Sequence, residues 1–287
     1  MARQTYMDVV LQAALIGLLQ GLTEFIPVSS SAHLELAPWI FGWEEDELIG
    51  SLAFDVFLHL GTLVALLVYF ARDWVRYVRA VWASVRERHI GADTDRRIAW
   101  LLVAATIPAA VIGFALEDFI GETFHGDSDA ARLAIAGFLV VGGALLWLAD
   151  RLGRRTREVE QINAPAALTI GFSQALALLP GISRSGATLT TGLALGLTRE
   201  AAARFSFLLA MPITLGAGLY GSRRLLTEAH TGVEWLAIGV GFAVAAASGL
   251  VAIGFMLSWL RRRSVAAFTV YRIGFAALIV VLVFSGH

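Results

Sequence analysis

The stretch GLLQGLTEFIPVSSSAHLELAP, from Gly17 to Pro38, begins as an apolar membrane helix. It then places Glu24, three consecutive serines and His33 in the same greasy neighbourhood. An ionised side chain at the centre of a bilayer costs about 3 kcal/mol or more. Residues of this kind at membrane depth therefore mark a function, and Pro27 with the serines marks a break in the helix. Non-helical backbone at that depth is stable only where it is buried in protein or lines a polar cavity.

The surrounding sequence fixes the class. The chain has 287 residues, 57% of them hydrophobic and only 16% charged. Soluble domains carry about 25% charge. Uniform apolar runs near the roughly 20 residues needed to cross a bilayer lie at 52–71, 98–116, 130–149, 201–221, 235–257 and 266–284. Such runs exclude a soluble protein and an outer-membrane barrel, whose strands are short and alternating. With no Cys in the chain, thiolate catalysis, disulfides and Cys-based metal sites are excluded. The near-zero net charge gives no sign of nucleic-acid binding.

Two apolar regions, 9–41 and 165–197, are each interrupted midway, and each reads as two short helices joined at a breaker. Arginine-rich segments lie at 72–97, 151–157 and 261–263, whereas 43–51 and 117–129 carry acids and no Arg. The positive-inside rule puts the Arg-rich segments on the cytoplasmic side. Six full spans satisfy that alternation when both broken regions enter and leave on one side, the first from outside and the second from inside. Residues 74–88, basic with interleaved aromatics, read as an amphipathic helix lying in the interface.

An internal repeat relates the two broken regions. Laying Ala13 on Ala167 brings Ala13, Ile16, Gly17, Gln20, Leu22, Ser29 and Ser31 onto identical residues, and IPVSSSA onto PGISRSG. Each copy is followed by three spans. An odd number of spans per copy inverts the second relative to the first. The expected fold is therefore an all-α polytopic membrane protein with an inverted-topology repeat, six full spans and two re-entrant broken-helix hairpins. It forms a single membrane domain over 1–287, with repeats at about 9–149 and 163–285. Sites in such folds lie where the broken helices meet.

The second breaker, LLPGISRSGATLTTG, holds Ser183, Arg184, Ser185, Gly186 and Thr188. Arginine presents a planar fork of donors suited to phosphate oxygens. Small residues let backbone N–H groups approach the same anion, and a helix starting nearby adds its positive end. The first breaker supplies Glu24 as a cation ligand or base, and Ser29, Ser30 and Ser31 as nucleophiles or phosphate donors. His33 could serve as acid, base or nucleophile. Gln20 lies one turn before Glu24 and faces the same way. Ser29 or Ser31 could equally cap a half-helix. Together these groups fit phosphoryl transfer from a lipid-borne phosphate or pyrophosphate ester. The competing class is a transporter or flippase of a lipid phosphate, because inverted repeats with broken helices are also a transporter design; translocation has no need of a nucleophile. Asp55 and His59, one turn apart in the first full span, read as support for the site. Gly142 and Gly143 read as close helix packing, and His89, His125 and His230 as solvated loop residues.

QGLTEFIPVSSSAH and PGISRSGAT resemble the two signature motifs of the undecaprenyl pyrophosphate phosphatase family of the BacA/UppP type. FDVFLHLGTLVALLVYF and RFSFLLAMPITLGAG extend the resemblance along essentially the whole chain. It implies an enzyme that removes the terminal phosphate of undecaprenyl pyrophosphate, regenerating the lipid carrier of cell-wall synthesis and conferring bacitracin resistance. It also implies a divalent cation, Mg or Ca, and residence in the bacterial inner membrane with the site facing the extracytoplasmic side. The family's essential carboxylate falls on Glu24, also the candidate metal ligand, its histidine on His33 and its serines on Ser29 and Ser30. The arginine of the second motif falls on Arg184, flanked by Ser183 and Ser185, with Thr188 closing the motif. Some members carry a second Glu where this chain has Gln20, and many have Gly where it has Ala32. An amide at position 20 cannot be an anionic ligand, which puts a two-carboxylate mechanism in doubt. The nucleophile stays open among Ser30, His33 and a water activated by His33. The expected partners are a polyprenyl pyrophosphate lipid and the bilayer, and the sequence is compatible with a homodimer.

Overall fold

The computed structural model describes residues 2–43, 48–49, 51–124, 128–227 and 231–286. His125 and His230 lie outside these residues. The chain forms α1 (Ala2–Phe25), α2 (Ser30–Phe41), α3 (Leu52–Tyr69), α4 (Ala71–Glu87), α5 (Thr94–Phe124) and α6 (Asp129–Leu152). It continues through α7 (Ala164–Ser173), a 3-10 turn (Gln174–Leu178), α8 (Arg184–Ala194), α9 (Arg199–Thr227), α10 (Gly232–Arg262) and α11 (Ala266–Phe284). The architecture is an all-α polytopic membrane protein, with each broken region followed by three long helices. Between α3 and α5 the amphipathic α4 is bent 83° from α3. It exposes Val75, Val78, Trp82 and Val85 while carrying the basic residues expected of an interfacial helix.

Several elements run longer than their sequence patterns, α10 (Gly232–Arg262) among them. Helices α5 and α9 continue beyond their apolar runs, to Phe124 and Thr227, because no proline or glycine cluster stops them there. Helix α1 starts near the N-terminus and reaches 24 residues, about 36 Å, long enough to cross a bilayer. The first broken region thus has one long arm and one short one, not two short helices.

The Arg-rich segments gather at one end of the bundle. The first turns of α9 tie them together: Arg199 makes a bidentate pair with Asp150 at the end of α6 (2.5 and 3.0 Å), and Arg204 binds Asp73 at the start of α4 (2.6 Å). Arg261, near the end of α10, binds Glu200 at 2.6 Å. The second broken region opens at this same end, where its two mouths are joined backbone to backbone. Thr198 N–H donates to Arg157 O (2.9 Å), and Arg157 N–H donates to Gly196 O (3.0 Å). The region between is therefore a hairpin that goes in and comes back. The first hairpin opens at the other end. There Val9 and Ala13 of α1 pack with Leu34 and Ala37 of α2, and with Phe54 and Ala237 at the starts of α3 and α10.

The residues matched by the repeat do matched jobs. A Cβ on Gly17 would overlap Gly241 O of α10, and a Cβ on Gly171 would overlap Ala105 O of α5. Each glycine lets the entering arm of its hairpin lie directly against the middle span of the other half, close packing that membrane helices reach with small residues. Ala13, Ile16, Ala167 and Ile170 are all fully buried beside these contacts. Further along α1, Gly21 packs on Ser248 and Phe25 on Gly249, at mid-length of α10, so the first breaker sits deep in the bundle.

Candidate active site

The two breakers fold alike. Pro27 lacks an N–H and pushes the residue before it out of helical geometry, which ends α1. The chain then turns at Ser29, whose φ is +76°, and begins α2. In the second hairpin Gly181 (φ +103°) and Ser183 (φ +73°) make the same turn into α8. Left-handed backbone at a non-glycine residue is uncommon and costs about 1–3 kcal/mol. It recurs at the two serines that the repeat superposes. Each serine is an N-cap: Ser29 Oγ accepts from Ala32 N–H (3.4 Å) and Ser183 Oγ from Gly186 N–H (3.1 Å). Each also meets the serine two positions on, Ser31 at 3.1 Å and Ser185 at 3.2 Å. Glycine would relieve the backbone but lacks the capping side-chain oxygen.

Capping leaves the first two N–H groups of each half-helix, on Ser30 and Ser31 and on Arg184 and Ser185, without a protein acceptor among the described residues. Two helix N-termini with unsatisfied donors and positive dipole ends thus converge on one place, a ready anion site.

Glu24 stands between them, buried at the end of α1. One carboxylate oxygen, Oε1, is paired with Arg184 Nη2. The other, Oε2, accepts from Ser30 Oγ at 2.7 Å and from Gln20 Nε2 at 3.3 Å, with His59 Nε2 at 3.5 Å. Arg184 is the first residue of α8 and Ser30 the first of α2, so a single carboxylate spans both half-helices. Arg184 is held on its other side by Thr214 Oγ1 of α9 (2.6 Å). His59 is oriented by the carbonyl of Asp55, at 2.8 Å from Nδ1, so the support expected from this pair comes through His59.

His33 is not part of that chain. Its Nδ1 lies 2.7 Å from Ser29 O, and since a carbonyl only accepts, Nδ1 carries the proton. In the neutral ring Nε2 then accepts from Tyr271 O–H at 2.7 Å. The imidazole is stacked on Phe275 with centroids 4.4 Å apart. Thr188 is turned inward, its hydroxyl bonding Arg184 O (2.8 Å) and Ser206 of α9 (2.5 Å), so it braces α8. Gly186 provides room: a Cβ there would lie 3.0 Å from Arg272 Nη1. Among the ten site residues expected from sequence, Gln20, Glu24, Ser30 and Arg184 form one connected cluster. Ser29, Ser183 and Ser185 build the turns, and His33 stands beside them.

Two neighbours escape the motifs. Tyr271 holds His33, and Arg272, fully buried, bonds the backbone of both breakers. Arg272 is the sole charge in the span 266–284. The reasoning that singles out Arg184 in an uncharged stretch applies equally to it. Gly142 and Gly143 pack against α11 as expected, specifically against the Arg272 side chain.

The donor set available to a cation is small. Among the described residues no three His, Asp or Glu side chains converge. The buried Oε1 of Gln20 has no hydrogen-bond partner and sits one turn from Glu24. One carboxylate and one free amide oxygen suit an ion that takes its remaining ligands from water and from a substrate phosphate, the usual manner of Mg.

The comparisons bear on the whole chain. The family model described as bacitracin resistance protein BacA matches residues 13–278. The chain is 43% identical over 274 residues to a protein of Thermomicrobium roseum named undecaprenyl-diphosphatase, covering 95% of this chain and 97% of that one. It is 45% identical over 271 residues to one of the same name from Desulforudis audaxviator, covering 94% and 97%. With the undecaprenyl-diphosphatase of Rubrobacter xylanophilus it shares 44% over 272 residues, covering 95% and 97%.

Proposed function

The chain belongs to the BacA family of bacitracin resistance proteins, and on that premise we propose that it is a membrane phosphatase hydrolysing undecaprenyl pyrophosphate to undecaprenyl phosphate and inorganic phosphate. Recycling of the lipid carrier and bacitracin resistance follow from that reaction. The carrying observation is the chain Ser30–Glu24–Arg184, which joins a hydroxyl, a buried carboxylate and a guanidinium across the start of two half-helices. A flippase would use the arginine and the helix ends but has no use for a hydroxyl held on a carboxylate.

The pyrophosphate binds at the converging N-termini, its oxygens taken by the free N–H groups of Ser30, Ser31, Arg184 and Ser185 and by Arg184 itself. Glu24 accepts the proton of Ser30 as Oγ forms a bond to the terminal phosphorus. The bond from that phosphorus to the bridging oxygen breaks, and the lipid monophosphate leaves with the bridging oxygen. Water then attacks the phosphoserine phosphorus, the P–Oγ bond breaks, and Glu24 returns its proton to Ser30 Oγ, releasing phosphate and restoring both side chains. Ser30 is favoured over His33 because both ring nitrogens of His33 are already engaged. Arg184 spreads the charge that builds on the transferring group. A divalent cation, Mg or Ca, would be held by Glu24 with Gln20 Oε1 and would neutralise phosphate charge when bound. A single carboxylate suffices for this scheme, so Gln20 is not a defect in it. The site faces the extracytoplasmic side of the bacterial inner membrane in this reading, with the Arg-rich end of the bundle in the cytoplasm.

Phosphate release from undecaprenyl pyrophosphate by purified protein, with and without EDTA, tests the proposal. Ser30→Ala and Arg184→Ala are expected to lose at least about 100-fold in kcat, the range that one proton-transfer or charge-stabilising group contributes. Wild-type rates in either variant would refute it.

A further inference from the structure

Arg272 is the largest fully buried side chain among the described residues. No carboxylate pairs with it in any described ion pair. Its guanidinium is instead spread over backbone carbonyls of three segments. Nε donates to Leu139 O of α6 at 2.9 Å, and Nη1 to Pro27 O of the first breaker at 3.3 Å. Nη2 lies at 2.7 Å from Gly181 O and 3.1 Å from Ile182 O of the second breaker, and at 3.3 Å from Phe138 O. Pro27 comes two residues before the cap of α2. Gly181 and Ile182 come immediately before the cap of α8.

The surroundings are cut to fit the fork. A Cβ on Gly142 would overlap Nη2, one on Gly143 would lie 3.5 Å from Nε, and one on Gly186 would lie 3.0 Å from Nη1. A cation kept at this depth without a counter-ion is costly. Besides Leu139 O and Phe138 O of α6, its donors satisfy the breaker carbonyls of Pro27, Gly181 and Ile182, which lie outside any helix and cannot stay unbonded in an apolar interior. Lysine, with one compact ammonium, cannot reach carbonyls on three segments at once.

We infer that Arg272 is a positioning residue for catalysis, a clamp that fixes the first breaker against the second and so sets Ser30 and Glu24 against Arg184. It touches neither the reacting atoms nor Glu24. Its effect on rate comes through the register of two half-helices whose first residues must meet the same phosphate. This inference rests on the phosphatase reading for its kinetic consequence and on geometry alone for the clamp. A misplacement of about 1 Å between reacting groups costs on the order of 100-fold in rate.

The test has a kinetic arm and a distance arm. In Arg272→Met and Arg272→Lys, kcat is expected to fall about 100-fold, with KM for undecaprenyl pyrophosphate changing far less. Lysine should not rescue, because the fork is what is needed. For the distance arm, the chain has no native Cys, so spin labels can be placed cleanly at Phe41→Cys and Ala194→Cys, the far ends of α2 and α8. A narrow distance distribution is expected with Arg272 and a broadened or displaced one without it. Gly142→Ala is the second variant: it keeps the arginine but drives a methyl into Nη2, and should broaden the distribution and lower kcat at least tenfold. Full rescue by lysine, a loss confined to KM, or an unchanged distribution in Gly142→Ala and Arg272→Met would overturn the clamp. The distance arm needs no turnover. A wild-type protein that releases no phosphate would refute the phosphatase reading and leave the clamp to be judged by the distances.

Discussion

Ser29 and Ser183 show how much one residue is asked to do. Each must accept left-handed backbone, which glycine does best, and each must cap a helix with a side-chain oxygen, which glycine lacks. At Ser183 both Ala and Gly remove the cap, but only Ala keeps the strain. Ser183→Ala should therefore destabilise the protein by about 1 kcal/mol more than Ser183→Gly, read as the difference in thermal midpoint in detergent. Equal midpoints would mean the turn is not strained. Glu24, Ser30 and Arg184 are legible in the sequence because each is costly in an apolar stretch and each lies in a repeated motif. What the sequence does not give is their pairing. Nothing in it says that Ser30, and not His33, reaches Glu24, because that depends on which way α2 leaves the turn. Arg272 is visible in the sequence as a lone charge in an apolar span, but an arginine near the start of a span also reads as one that reaches for the interface, and only the fold shows that it points inward and that Tyr271 beside it holds His33.

At the scale of helices, the two hairpins are held by glycine contacts with the opposite half. Gly17 against α10 and Gly171 against α5 leave no space for a methyl. Gly17→Ala and Gly171→Ala should each cost about 1–3 kcal/mol and separate the breaker from its partner, lowering thermal midpoint and activity together. A variant with unchanged midpoint would show that the arms are not close-packed as described. The spans were readable from apolar runs, and the breakers from Pro, Gly and Ser. The ends were not: α5 and α9 continue past their apolar runs because helix propensity needs no hydrophobic face to persist for another turn or two. The length of α1 escaped the pattern in the same way, since polar residues near its start contain no breaker.

For the whole molecule, the defining feature is that the two hairpins open at opposite ends and meet tip to tip. The repeat and the alternation of arginines foretell this arrangement. The bonded mouth of the second hairpin and the apolar mouth of the first carry it in the structure. Single cysteines at Trp43 and Arg154, next to the two mouths, should be labelled by an impermeant maleimide from opposite faces of the membrane. Labelling of both from one face would contradict the inverted arrangement. Opposed hairpins give the site its chemistry, because α2 and α8 both start where the hairpins meet and run away from each other, so both N-termini face one place.

The most direct test of the account follows the phosphate itself. Purified protein given undecaprenyl pyrophosphate labelled in its terminal phosphate, and quenched with denaturant within one turnover, should carry label on Ser30. Glu24→Gln should slow its formation by at least about 100-fold. Label on His33, or an unlabelled enzyme whose Ser30→Ala variant still releases phosphate at the wild-type rate, would contradict the mechanism.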